Sequence, residues 1–181
     1  VELFDPLFQP WTGGGQHFSF FNQPNAAKIN YQMFCLALKP LLKENKQDLE
    51  KLDNMITSFS KSMNTQLESM WAHKIGLEIY DKKIVNELLN LMAISKVDYT
   101  IFFRKLSSIP EDFSALSYSF YTDISDELNL RWGKWFNNWK YLIDVSNERT
   151  IKSARMKLIN PKYTWREWII AEAYNKAQGG D

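Results

Sequence analysis

Few side chains in this sequence are suited to chemistry. Its 181 residues hold one cysteine, Cys35, and two histidines, His17 and His73. A nucleophilic triad therefore has two imidazoles to draw on, and a zinc site built from a Cys/His cluster has no material. His73 falls at the end of a helical pattern, where a solvated imidazole faces the carbonyl end of the helix dipole. Cys35 lies between Phe34 and Leu36 in an apolar helix, the setting of an inert buried thiol. The run Gly13-Gly14-Gly15 supplies successive backbone N–H groups of the kind that cradle phosphate. It lacks the Gly-Lys-Ser or Gly-Lys-Thr of a phosphate loop, and no strand pattern precedes it, so it reads as a flexible turn.

Charge supplies another candidate. Twenty-two basic and 21 acidic residues leave the chain at +1, a balance that favours neither nucleic acid nor a membrane surface. The distribution is uneven: from Arg131 to Arg166 nine basic residues stand against Asp144 and Glu148, so this segment is +7 and the rest of the chain −6. Interleaved with Trp132, Trp135, Trp139, Trp165 and Trp168, it holds the ingredients of a binding surface for RNA or an acidic partner. Three of these tryptophans follow helical core spacing, which favours packing, with Lys and Arg as a solvated or domain-contacting face. Nucleic acid stays as the alternative partner of a helical binding module.

Helices must position these groups. Residues 1–21 mix Pro6, Pro10 and three glycines with Phe and Trp, which suits an ordered, aromatic-pinned loop. Asn22 and Pro24 then open a helix whose buried stripe is predicted as Ala27, Tyr31, Phe34, Leu38 and Leu41. Leu49, Leu52, Ile56, Phe59, Met63, Leu67 and Met70 mark a longer helix that Gly76 closes. Shorter helices follow from Asp81 (Ile84, Leu88, Leu91 or Met92) and from Asp98 (Tyr99, Phe102, Phe103, Leu106). Another runs from about Ser125 (Leu128, Trp132, Trp135, Trp139, Leu142), and one spans 147–158. The last starts with Asn160-Pro161 as cap and first-turn proline and carries Trp165, Ile169, Ile170 and Ala173 up to Gly179. Seven or eight helices and no long strand pattern predict an all-α fold. No apolar run reaches the ~18 residues of a membrane span, and a reducing cytoplasm fits the cysteine count. Val1 and the Gly-Gly-Asp end lead us to expect a piece of a longer protein.

Three blocks carry a resemblance. Phe4-Asp5-Pro6, followed after a loop by Phe18-Ser19-Phe20-Phe21-Asn22-Gln23-Pro24, is similar to the selenoprotein O family. So are Asp98-Tyr99-Thr100 with Phe102-Phe103-Arg104 and Leu106-Ser107, and Asn160-Pro161-Lys162-Tyr163 with Arg166. The resemblance runs from end to end and is weakest between about residues 44 and 95. It implies a protein-kinase-like fold that transfers AMP from ATP to Ser, Thr or Tyr hydroxyls of target proteins with Mg²⁺. It also implies that the ATP-binding, catalytic and metal-binding residues precede this chain. Residues 1–24 would then be the loop after the metal-binding segment. Residues 25–181 would form, as a single domain, the helical C-lobe portion and a C-terminal helical extension. Partners would be the upstream kinase-like lobes and protein substrates, in a bacterial cytoplasm or, in a eukaryote, a mitochondrion. By the same analogy His17, Asn22, Gln23 and Pro24 line or brace the acceptor region, the alternative being that Asn22 and Pro24 simply start a helix. Many relatives carry Arg at His17 and Arg-Asn at Arg166-Glu167. The loop after Asp5-Pro6 has no cysteine, so the disulfide control of some relatives is not extended here.

Overall fold

The computed structural model describes residues 2–9, 13, 15–143 and 148–180. Pro10, Trp11, Gly14, Asp144, Asp181 and the expected helix start at residue 147 lie outside the described residues. Among the described residues all regular structure is helical. The helices are α1 (Gln23–Leu42), α2 (Lys46–Lys74), α3 (Lys82–Ser95), α4 (Tyr99–Leu106), α5 (Asp126–Ile143), α6 (Arg149–Ile159) and α7 (Glu167–Gln178). Short 3-10 turns lie at Phe20–Asn22 and Phe113–Ser119. The all-α expectation holds. The chain divides into two compact units, Asp5–Met70 and Val1–Phe4 with Trp71–Asp181.

In the unit of residues 5–70, α1 and the first part of α2 form a hairpin. Tyr31 stacks on Phe59 with ring centroids 4.6 Å apart, and Lys39 pairs with Asp53 at 2.6 Å, so the helices run antiparallel. Asn45 sets the turn: its Oδ1 accepts from the Asp48 amide at 3.1 Å, a helix-start cap. The stripe predicted for α2 holds from Leu49 to Met70, each member half-buried or buried. The stripe predicted for α1 needs correction. Phe34 is 61% and Leu41 80% exposed, whereas Cys35 is buried and Leu42 half-buried. At 100° per residue Cys35 and Leu42 share the Tyr31–Leu38 face, while Phe34 and Leu41 drift to its edge.

The unit of residues 71–181 has an aromatic core. Asp81 caps α3, accepting from the Lys83 and Ile84 amides at 2.8 and 3.0 Å. Asp98 caps α4 through the Ile101 amide at 2.8 Å. Trp132, Trp135 and Trp139 of α5 are at most 1% exposed, and each indole N–H has an acceptor. These are Ser95 Oγ at 2.9 Å, the Ile84 carbonyl at 2.9 Å and the Ile75 carbonyl at 2.8 Å. A buried indole without such a partner would carry a desolvation cost, so the three bonds set how α5 lies along α3 and the chain before it. Trp139→Phe keeps most of the ring and strands the Ile75 carbonyl; a loss of about 1–3 kcal/mol in unfolding free energy is expected from denaturant titration. The α5 stripe ends on buried Ile143 rather than Leu142, which is 41% exposed. Gly76 has φ +78°, and an added Cβ would lie 2.6 Å from Met156 Sδ and 2.7 Å from Ile143 Cδ1, so both backbone and space require glycine there.

The final helix starts later than its sequence suggests. Asn160 ends α6 in extended geometry (φ −98°, ψ 101°), and α7 begins at Glu167 after Arg166. Asn-Pro serves equally as a helix start or as the stop after one. Here the Asn160 side chain is bonded to other helices, which leaves nothing to cap a helix beginning at Pro161. Every described residue from Ala171 onward is exposed.

Candidate functional site

The residues expected near an acceptor lie in the unit of residues 5–70. Asp5 Oδ1 accepts from the Leu7 amide at 2.9 Å. The Phe20 and Phe21 amides donate to the Phe8 and Pro6 carbonyls at 2.9 and 3.0 Å, laying the two aromatic ends of the loop side by side. Asn22 precedes α1 but makes no capping bond. Its Nδ2 instead donates to the carbonyls of His17 (2.8 Å) and Gln16 (3.2 Å). Gln23 Nε2 donates to Phe18 O at 2.8 Å and Ser19 O at 3.4 Å. Two carboxamides thus tie the loop at 16–19 to the first turn of α1, while Pro24 occupies that turn.

His17 and Asn22 line a hollow of about 500 Å³ together with Pro6, Ser19, Phe21 and Asn25. The His17 ring meets Phe18 edge-on at 4.4 Å. Gln23 and Pro24 are not among the lining residues. The hollow offers an imidazole and carboxamides, groups that hydrogen-bond and orient a hydroxyl or a peptide. Among the described residues no three His, Cys, Asp or Glu side chains gather as a metal-ligand set.

A denser polar cluster, unforeseen from sequence, lies in the unit of residues 71–181. Lys74, 6% exposed, donates from Nζ to Asn160 Oδ1 at 2.8 Å and lies over the Phe103 and Tyr99 rings at 4.3 and 5.0 Å. Asn160 Nδ2 donates back to the Lys74 carbonyl at 2.7 Å and to Ser107 Oγ at 3.0 Å. Arg104 donates to the carbonyls of Asn160 and Lys157. Burial lowers the Lys74 ammonium to a pKa of about 8 and pushes the Tyr99 phenol well above its ordinary value.

Beside this cluster, fully buried Asp98 accepts from Arg166 and, at 2.7 Å, from the Tyr121 hydroxyl. Burial alone would raise the Asp98 carboxyl; the bonds from Arg166, the Ile101 amide and Tyr121 outweigh it and hold the carboxyl below its ordinary 3.8. Burial and Asp98 push Tyr121 up to about 12. The stability that Asp98 contributes is therefore present above about pH 4 and lost as pH falls through its lower folded value. Asp98→Asn should flatten the acid limb of a stability–pH curve. The sequence signal was present in another form: the blocks around Asp98 and Asn160 carried the family resemblance, and the structure joins them through Asp98–Arg166, Ser107–Asn160 and Arg104–Asn160.

Five of the nine basic residues of the segment pair with carboxylates elsewhere in the chain. Arg131 pairs with Glu87, Lys140 and Arg149 with Glu111, Arg155 with Glu78, and Arg166 with Asp98 and Glu2. Every one of these carboxylates comes from outside 131–166. The tryptophans divide accordingly, three in the core, with Trp165 80% and Trp168 67% exposed. No described helix is long and apolar enough to cross a membrane.

Comparison with known proteins gives one consistent result. Residues 1–181 match the family model described as protein adenylyltransferase SelO. The protein nucleotidyltransferase YdiU of Flavobacterium johnsoniae is 29% identical over 100% of this chain and 37% of its own length. That of Photobacterium profundum is 29% identical over 91% of this chain and 34% of its own. That of Rhodopirellula baltica is 27% identical over 100% and 37%. The chain thus spans little more than a third of the length of these relatives.

Proposed function

Because the chain belongs to the SelO protein adenylyltransferase family, we propose that it is the helical support of an enzyme that transfers AMP from ATP to Ser, Thr or Tyr hydroxyls of target proteins. The observation that carries this reading is the family match along all 181 residues, with relatives named as nucleotidyltransferases. Adenylyl transfer forms a bond between the α-phosphorus and the acceptor oxygen, breaks the bond to the β-phosphate, and releases pyrophosphate as the acceptor loses its proton. Charge developing on the phosphates calls for metal ions and basic groups. ATP and Mg²⁺ are assigned to kinase-like lobes outside this chain, in the cytoplasm of a bacterial cell. In this reading His17 and Asn22 face the acceptor, and Gln23 and Pro24 hold the loop on α1.

Exposed apolar side chains support a partner surface within the same protein. Leu7, Phe8, Met33, Phe34 and Leu41 are each more than half exposed, an arrangement that soluble surfaces usually cover. The 181-residue chain alone should bind more of a hydrophobic dye per unit mass than the full-length protein; equal binding would remove this support.

The transfer itself is tested with the full-length protein and ATP labelled at the α- or the γ-phosphate. Label reaching protein from the α position alone is the expected result. Label from the γ position would make the enzyme a kinase. Absence of both would favour a helical binding module, whose affinity for RNA would fall steeply with salt.

A further inference from the structure

Helices α3 and α5 lie antiparallel, with Ser95 beside Trp132 and Ile84 beside Trp135. Between them runs a groove of about 870 Å³, inside the roughly 300–1,000 Å³ span of ligand sites. Its apolar lining is Leu142 and Tyr141, both exposed, over buried Ile84 and Trp135. Its walls are polar. Lys83, Asn86 and Asn90 repeat along α3 at helical spacing, and Lys134 and Asn138 face them from α5.

The hydrogen bonds on these walls show what remains free. The Asp81 carboxylate is occupied by two amides at the start of α3. Glu87 and Asn90 Oδ1 are both taken by Arg131, at 3.0 and 3.2 Å. Among the described residues, the Lys83 and Lys134 ammoniums have no carboxylate within ion-pair distance, and the Asn86 and Asn138 carboxamides have no hydrogen-bond partner. All four side chains belong to exposed residues. The lining carries three cations (Lys83, Arg131, Lys134) and two carboxylates (Asp81, Glu87), so it is +1 net with Lys83 and Lys134 as its unpaired cations, and each free carboxamide presents one donor and one acceptor face, the complement of a peptide group.

We propose that this groove docks an acidic protein segment with an apolar anchor: the anchor lies on Tyr141 and Leu142, its carboxylates reach Lys83 and Lys134, and Asn86 and Asn138 bond its main chain. Nucleic acid fits less well. Two free ammoniums make a short phosphate track, and Trp135 is buried with its N–H committed to Ile84, so Tyr141 is the one exposed ring among the lining residues and successive bases have no second platform. The docking surface is independent of the transfer chemistry and is read without ATP.

The test uses the full-length protein and a short fluorescein-labelled peptide alternating Glu and Leu, followed by fluorescence anisotropy, with a Lys/Leu peptide as control. Saturable binding of the acidic peptide alone is expected. Combined Lys83→Glu and Lys134→Glu should weaken it at least about tenfold, since like charges then face each other, whereas Lys83→Arg with Lys134→Arg should retain it. Asn138→Ala should weaken it further without changing the circular dichroism spectrum. Failure of the acidic peptide to bind, or binding untouched by charge reversal, overturns the proposal. A native dimer in sedimentation that the Glu variants dissociate would assign the groove to a second copy instead.

Discussion

Asn160→Ala is expected to lower the unfolding free energy by about 3–5 kcal/mol, from three buried hydrogen bonds lost at one position. Asn160 is 0% exposed and answers Lys74 twice, accepting from its ammonium and donating to its carbonyl, while also donating to Ser107 Oγ. Alanine leaves a buried ammonium facing aromatic rings with no oxygen, and leaves the Lys74 carbonyl without its carboxamide donor. An unpaired buried charge is the costliest of these losses. Thermal or urea denaturation of the 181-residue chain reads the effect directly. Lys74→Met on the Asn160→Ala background should recover part of the loss, because it removes the stranded charge. Additive losses in that cycle would mean that the two side chains do not act as a pair.

Lys74 also predicts an alkaline stability maximum. Its folded pKa of about 8 lies below the ordinary 10.5, so below pH 8 both states bind the proton and the folded chain bears the full burial penalty. Between pH 8 and 10.5 the unfolded state binds more protons, so stability rises with pH. The full shift is worth on the order of 3 kcal/mol, of which about 2 kcal/mol should appear by pH 9.5. Tyr121, pushed up to about 12, and Tyr99, also raised, act oppositely. Above pH 10 their phenols ionise in the unfolded chain first, and stability falls. Melting temperature should therefore climb from pH 7.5, peak near pH 10 and decline. Lys74→Met should flatten the climb and leave the decline; a wild-type profile flat between pH 8 and 9.5 would refute the assignment.

Much of the helical framework was legible because its signals are local. Asp81 and Asp98 are followed at helical spacing by apolar residues and were read as helix starts; both prove to cap there, since a side-chain oxygen two or three residues before an amide needs no tertiary partner. The α2 stripe from Leu49 to Met70 and the three core tryptophans of α5 follow from periodicity alone. Where periodicity tolerates two faces, as in α1, the expected buried thiol at Cys35 holds, but the sequence could not decide that Phe34 and Leu41 would turn outward. Packing against the Phe59 side of α2 decided it.

The candidate site divides in the same way. His17, Asn22, Gln23 and Pro24 were singled out by resemblance. Their carboxamide bonds back to residues 16–19 emerge only when the loop is closed, because those acceptors are main-chain carbonyls that any sequence supplies. The pairing of a +7 segment with carboxylates outside it was equally invisible, since it depends on partners as far away as Glu2 and Asp98. By itself the sequence determined an all-α chain, most helix positions, the family resemblance and the shortage of catalytic side chains, all of which rest on residue type and short spacing. The tertiary structure alone decided that Asn160 ends a helix and binds a buried Lys74 86 residues away, because a side-chain amide bonds whatever the fold places within 3 Å.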